Sequence, residues 1–381
     1  MGKVMVIAGE LSGDMHAARV ISKIKQLSPG IEVVGMGSKY LKEQGVEIIL
    51  DPTAISSIGF HEAWKNIKLH REHLDMVKET ITQEKPDVLF LVDYSGFNML
   101  VARIARKKGI PAVNYFPPTA WIWGKWRARW MARNNVSIAA VLPLEREIYT
   151  RAGADVRFVG HPLLDIVKIE ESKKEIYDKL ELDPNKKLIG LMPGSRKEEI
   201  NRHLPYLLKA AEKLQAEDRN LQFVLPLARD FDIARISNWS SEYKVILKIV
   251  RNYNYQVMEV ADLIITASGT ATLEATIIGT PMVIIYKTSK STYRLGKFLM
   301  NIDYVGMPNI IAGQEVVPEL IQDDATAEML HHKVKTLIYK PYLLKNMRKN
   351  LTRVKGMLGK KGAVTRTARL VLEKGALDFS D

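Results

Sequence analysis

The sequence predicts an α/β chain built from two Rossmann-like, doubly wound domains in tandem. Three observations carry this reading. Short apolar runs recur along the chain, each followed by an amphipathic helical stretch. The runs are continuous rather than alternating, as in parallel strands covered on both faces. The series also starts afresh after a charged stretch, which divides the 381 residues into two halves of ordinary domain size.

Taken in order, residues 4–8 form the first strand, followed by a glycine-rich turn and a helix over about 13–26. Strands follow at 31–36, 88–92, 112–116 and 137–141, the one at 88–92 ending in Asp93. The second series has strands at 188–192, 221–225, 245–249, 263–266 and 282–286. Charged residues from Glu170 to Glu175, with Pro162 and Pro184 on either side, punctuate the join. The expected divisions are 1–167, 168–345 and a helical segment 346–381. That segment belongs to a helix starting near 326 and packs back on the first domain or on a second copy, as in a homodimer. Two such domains face each other across a cleft at their strand C-terminal ends.

Composition narrows the chemistry. Hydrophobic residues make up 46% and charged residues 26%, which excludes a disordered chain. The absence of cysteine excludes disulfides, zinc–thiolate sites, iron–sulfur clusters and a catalytic thiol. Lys and Arg number 56 against 43 Asp and Glu, a net +13 that points to an anionic partner. No apolar run approaches the ~18–20 residues that span a bilayer, and the opening run is shorter than a signal-peptide core. The expectation is a cytoplasmic protein that can touch a membrane surface peripherally, which the resemblance given below makes the inner membrane.

Four segments carry candidate chemistry. Gly9-Glu10-Leu11-Ser12-Gly13-Asp14 follows the first strand, where glycines permit a tight turn and helix N–H groups meet an anion. The same residues also serve as a turn capped by Ser12 or Asp14. Asp93 sits at a strand end, where partial burial raises a carboxyl toward the range of a general base; it equally serves as a helix cap. Pro193-Gly194-Ser195-Arg196 and Ser268-Gly269-Thr270-Ala271-Thr272-Leu273-Glu274 each follow a strand of the second half. Together they suit a nucleoside diphosphate, with Arg196 clamping phosphate oxygens and Glu274 accepting from ribose hydroxyls. The fourth segment, Trp121 to Trp130, holds four of the six tryptophans among Lys125, Arg127 and Arg129. It suits a membrane interface through Trp121, Trp123 and Trp126, or a nucleic acid. Ile58, Phe60 and Trp64 form a second aromatic–apolar stretch of interfacial or core-facing character. Asp230-Phe231-Asp232 reads as a helix start, and the histidines show no metal-ligand spacing.

These motifs together resemble the lipid-A-disaccharide synthases. The resemblance runs from Ala8-Gly9-Glu10-Leu11-Ser12-Gly13-Asp14 through Asp93, Phe97 and Asn98, then Trp121 and Trp123. It continues through Phe158-Val159-Gly160-His161-Pro162, Pro193 to Arg196, Ser268 to Glu274, and Asp303 to Gly313 with Asn309. It implies a GT-B glycosyltransferase fold. It implies transfer of 2,3-diacylglucosamine from its UDP conjugate to 2,3-diacylglucosamine 1-phosphate (lipid X), with inversion and no metal or other cofactor. It puts Asp93 and Arg196 in catalysis. Substrate or UDP contacts fall on Gly9, Glu10, Ser12, Gly13, Asp14, Asn98, Gly194, Ser195, Ser268, Gly269, Thr270, Glu274 and Asn309. Gly96 stands where some members carry an acidic residue, so no carboxylate pair is claimed, and His16 stands where some are apolar. The rivals are another UDP-sugar enzyme of the same fold, including an epimerase, and a nucleic-acid binder; the paired phosphate turns argue against the latter.

Overall fold

The computed structural model describes residues 2–52, 63–227, 231–289, 293–294 and 303–380, with the side chains of 63–68 excepted. Ile58 and Phe60, and the side chain of Trp64, therefore lie outside the described residues. The chain forms two compact units, Met1–Pro162 with Leu358–Asp381, and Leu163–Met357.

The first unit carries β1 (Lys3–Ala8), β2 (Glu32–Met36), β3 (Glu47–Leu50), β4 (Val88–Val92), β5 (Ala112–Tyr115), β6 (Val136–Ala140) and β7 (Val156–Phe158). Its helices are α1 (Leu11–Leu27), α2 (Lys39–Glu43), α3 (Ala63–Glu84), α4 (Ser95–Lys108), α5 (Trp126–Arg133) and α6 (Pro143–Arg151). The strands are parallel, in the order β3-β2-β1-β4-β5-β6-β7. Residues 4–8 and 88–92 are wholly buried, because helices cover both faces of the sheet. Each such Val, Leu or Ile contributes roughly 1.5–3 kcal/mol.

The second unit repeats the plan with α7 (Leu163–Ile166), α8 (Lys173–Lys179), β8 (Lys187–Met192), α9 (Lys197–Glu217), β9 (Leu221–Leu227), α10 (Ile233–Ser240) and β10 (Leu247–Arg251). It continues through α11 (Asn254–Val260), β11 (Leu263–Ala267), α12 (Thr270–Ile278), β12 (Met282–Tyr286), α13 (Met307–Ala312), β13 (Glu319–Ile321), α14 (Ala327–Ile338) and α15 (Pro341–Met357). Its parallel order is β10-β9-β8-β11-β12-β13. The last helix, α16 (Ala363–Lys374), returns to the first unit and lies against α1, β4 and β5.

The strand order reverses between β1 and β4 in one unit and between β8 and β11 in the other. These are the topological switch points, where the following loops part and leave room for a ligand. Three of the four sequence segments singled out for chemistry fall there. The single helix expected over 326–374 is instead three. Pro341 breaks it first, and Gly359 and Gly362, with φ of +90° and +93°, break it again. The edge strands β3, β7 and β13 have only three or four residues, too few to show a period in the sequence.

One motif residue belongs to the fold rather than to a ligand. Asp14, expected at the substrate, is 1% exposed. Its carboxylate accepts from the Ser38 N–H at 2.7 Å, the Ser38 hydroxyl at 2.7 Å and the Tyr40 N–H at 2.9 Å. It thereby ties the loop after β2 to α1. Asp14→Ala would leave those donors without an acceptor and should cost the first unit roughly 2–4 kcal/mol in chemical denaturation. UDP affinity should be unchanged.

Candidate active site

At the β1/β4 switch point, β4 ends in Asp93, whose φ of +39° puts it in the left-handed region. A non-glycine residue holds that conformation at a cost of about 1–2 kcal/mol. Its N–H continues the ladder to the Tyr115 carbonyl at 3.2 Å, and the bend turns its carboxylate toward α1. There the Ser12 hydroxyl donates to Oδ2 at 3.1 Å. Neither Ser12 nor Asp14 caps α1; Glu10 is the N-cap, without a side-chain bond, and is exposed with Leu11 and Ser12. A Cβ on Gly9 would lie 2.2 Å from the Tyr94 ring, and one on Gly13 3.3 Å from the Asp93 Cβ. Gly9 is thus needed so that the turn can close on Tyr94, and Gly13 gives Asp93 its tight fit against α1.

The carboxyl of Glu145 feels the charge of Asp93. The Phe116 ring lies 4.6 Å from the His16 ring and 6.1 Å from His161, centroid to centroid. Burial pushes His16 down to about 4, helped by Arg19, and His161 down to about 3, helped by His16, so both are neutral at pH 7. Burial raises Asp93 above the usual aspartate range, partly opposed by the Ser12 hydrogen bond. No Lys or Arg among the described residues forms an ion pair with it. A half-buried carboxylate with one hydroxyl donor and no cation is suited to accept a proton. Asn98 is different: it is fully buried, and its amide has no partner among the described residues. It is not at a ligand-accessible surface.

In the second unit, a cavity of about 430 Å³ lies at the β8/β11 switch point, lined by Gly194, Arg196, Glu199, Ser268, Thr270 and Glu274 among others. The two phosphate turns differ in what they leave free. At the first, Glu199 accepts from the Ser195 N–H at 2.9 Å and the Arg196 N–H at 3.3 Å, so α9 caps itself. Gly194 has φ of +129°, and a Cβ there would come 2.4 Å from Glu199 Oε2. At the second turn, Gly269 is the N-cap of α12 and no side chain caps it. Ser268 instead donates its hydroxyl to the Val305 carbonyl at 2.7 Å. The Thr272 N–H bonds the Gly269 carbonyl at 3.1 Å, whereas the Thr270 and Ala271 N–H groups have no acceptor among the described residues and lie at the positive end of the helix dipole. Arg196, with its side chain 80% exposed, is held only by a 3.8 Å contact to Glu199. Glu274 accepts from the Tyr255 hydroxyl at 2.9 Å, and burial raises its carboxyl.

Other residues hold these loops in place. His203 Nε2 accepts from the Lys287 N–H at 3.2 Å, so Nδ1 carries the proton and donates to the Pro193 carbonyl at 2.8 Å. This ties the Pro193–Arg196 turn to the end of β12. Asn309, expected at the substrate, is fully buried and saturated. It donates to Val317 O and Glu319 Oε1 and accepts from the Val316 and Val317 N–H groups. Its role is to brace the loop whose Val305 carbonyl receives Ser268. Asp232 caps α10, in line with the sequence reading, and the described residues hold no group of three or more His, Asp or Glu gathered as for a metal ion.

The tryptophans separate by burial. Trp130 packs against the core and donates to the Met99 carbonyl at 3.2 Å. Trp123 and Trp126 are 43% and 57% exposed, with the Arg127 guanidinium 3.5 Å from the Trp123 ring centroid. No described helix is long and apolar enough to cross a membrane.

A model of the lipid-A-disaccharide synthetase family matches residues 4–369. The chain belongs to the lipid-A-disaccharide synthase family. The synthase of Geobacter sulfurreducens is 38% identical over 371 residues, 97% of each chain. That of Persephonella marina is 35% identical over 381 residues, 98% of this chain and 99% of the other. Among solved structures, Staphylococcus aureus MnaA with UDP superposes at a TM-score of 0.64 and 15% identity, covering 99% and 98% of the two chains. MurG of Acinetobacter baumannii superposes at 0.61 and 17%, covering 98% and 100%. These likenesses establish the GT-B fold. The family makes the chain a UDP-sugar-dependent glycosyltransferase of lipid A biosynthesis, and neither the epimerase nor the nucleic-acid reading is favoured.

One buried group has a pH signature. Glu145, 3% exposed, accepts from the Val141 and Leu142 N–H groups at 2.8 and 3.1 Å. Burial, aided slightly by the charge of Asp93, raises its carboxyl to about 7. The folded state therefore holds a proton that the unfolded chain releases near pH 4.5, so stability falls as pH rises from about 4.5 to 7. Glu145→Gln keeps an acceptor for both N–H groups and removes the titration. It should be more stable than the parent by roughly 3 kcal/mol at pH 8 and indistinguishable from it at pH 4, as read by thermal unfolding at both values.

Proposed function

We propose that the chain transfers 2,3-diacylglucosamine from UDP to the 6-hydroxyl of 2,3-diacylglucosamine 1-phosphate (lipid X), inverting the anomeric centre. The observation that carries the reading is the pairing of an uncapped α12 N-terminus with the uncommitted Arg196 in one cavity. The α12 N–H groups and Arg196 would take the diphosphate and stabilise the charge that develops as UDP leaves. No metal is required in this scheme. Gly194, Ser195, Ser268, Gly269 and Thr270 shape the turns around the diphosphate, and the Glu274 oxygen not committed to Tyr255 would accept from the ribose.

Asp93 is the base. The acceptor oxygen attacks C1 as its proton passes to the Asp93 carboxylate, and the C1–O bond to UDP breaks. Ser12 orients the carboxylate, and the exposed Gly9–Ser12 turn with Glu10 would border the acceptor sugar. Asp93→Asn should retain UDP affinity and lower turnover by roughly 10²–10⁴-fold, measured as disaccharide mass formed from the two lipid substrates. Turnover near that of the parent would remove Asp93 from the mechanism.

Both substrates carry acyl chains, so the enzyme must work at a membrane surface. Two features support this. Trp123 and Trp126 present indoles beside cations. Twelve Lys and Arg with no Asp or Glu occupy positions 329–372, concentrating almost all of the +13 excess there. Of these, Lys345, Lys349, Arg353 and Lys355 are exposed on α15, and such a stripe attracts anionic headgroups. The double variant Trp123→Ala/Trp126→Ala should sediment less with phosphatidylglycerol vesicles; unaltered sedimentation would rule these indoles out as anchors.

A further inference from the structure

A groove of about 370 Å³ lies between α5 and α6, within the first unit. That is roughly a dozen water-sized volumes, the scale of an alkyl chain rather than a whole lipid. Its apolar lining comes from Ala128, Leu144, Ile148 and Ala152, with Trp121 beside them. Its other lining residues are charged: Lys125, Arg129, Arg151 and Glu147. Glu147 is committed to Arg151 at 2.7 Å. Lys125 and Arg129 are exposed and have no carboxylate partner among the described residues. The Trp121 indole N–H is shielded from solvent and has no acceptor there either.

Each feature asks for a different part of one molecule. The apolar lining is open surface that a hydrocarbon would cover. Two unpaired cations at the edge of an apolar groove favour an anion attached to that hydrocarbon. A shielded N–H without an acceptor costs about 1–3 kcal/mol, which an ester, amide or hydroxyl oxygen near the head of the chain would recover. A neutral detergent-like ligand leaves the cations unused, and a free phosphate leaves the groove empty.

We propose that this groove receives one acyl chain of the phosphorylated acceptor, with its phosphate at Lys125 and Arg129. The identity of the occupant rests on the acceptor assigned above. The groove would then distinguish acceptor from donor, because only the acceptor carries a phosphomonoester next to its acylated sugar.

The test uses the full-length protein and dodecyl phosphate, with dodecyl maltoside as the neutral comparator, followed by calorimetry. Lys125→Ala/Arg129→Ala changes exposed positions only. It should weaken dodecyl phosphate about tenfold and leave dodecyl maltoside unchanged. The same variant should raise the acceptor KM about tenfold, with the KM for the UDP donor unaltered. Ala152→Leu narrows the groove and should weaken both detergents; if it does not fold, the rim variant still decides. Dodecyl phosphate bound equally by parent and rim variant overturns the proposal. So does an unchanged acceptor KM, or a loss confined to vesicles, which would make the groove a bilayer contact. Detergent binding is read without turnover. A chain that lost dodecyl phosphate in the rim variant but never formed disaccharide would therefore contradict the assigned reaction and keep the groove as an alkyl phosphate site.

Discussion

A strand buried on both faces can offer no side chain to a ligand along its length. In a parallel sheet it can do so only where the chain leaves it. That constraint governs both units of this protein. The candidate base and the two phosphate turns lie in the loops after β4, β8 and β11, and the turn that meets the base follows β1, where the strand order reverses and the loops part. The left-handed backbone at Asp93 is the local expression of the same constraint. It ends β4 abruptly enough to turn a carboxylate out of the sheet and against Ser12.

The two loops of the second unit show how similar sequences can have opposite availability. Both follow a buried strand, both contain glycine and serine, and both open a helix. Glu199, three residues into the first, closes its N–H groups from within. In the second, Ser268 is drawn away to Val305, no side chain caps α12, and the Thr270 and Ala271 N–H groups stay free of acceptors among the described residues. The loop that receives Ser268 is itself shaped by Asn309 and Glu319, so a distant asparagine preserves an open helix end without touching a ligand. The positioning of donor chemistry is thus spread over residues that do none of it.

Much of this was legible in the sequence, for physical reasons that can be named. Continuous apolar runs gave the parallel sheets, and the strand-end position of Asp93 marked a possible base. Motif membership, however, does not separate a ligand contact from a brace. Asp14, Asn98 and Asn309 sit among residues that line the loops, yet all three are buried, and Asp14 and Asn309 spend their hydrogen bonds inside the fold. Glu199, His203 and Tyr255 were missed because their partners, at Ser195, Pro193 with Lys287, and Glu274, are set by helix phase or tertiary approach. A glutamate three residues into α9 was the one available signal, since it matches a capping box.

The central claim is a division of labour: unit two holds the leaving diphosphate, and unit one holds the proton acceptor. A crystal structure with UDP and the phosphorylated acceptor tests it most directly. The account predicts phosphate oxygens on the N–H groups at the start of α12 with Arg196 turned onto them. It also predicts the acceptor hydroxyl within about 2.6–3.2 Å of the Asp93 carboxylate. A diphosphate seated on the Ser195 and Arg196 backbone N–H groups with Glu199 expelled and α12 left empty, or an acceptor hydroxyl paired with some other base, would contradict it.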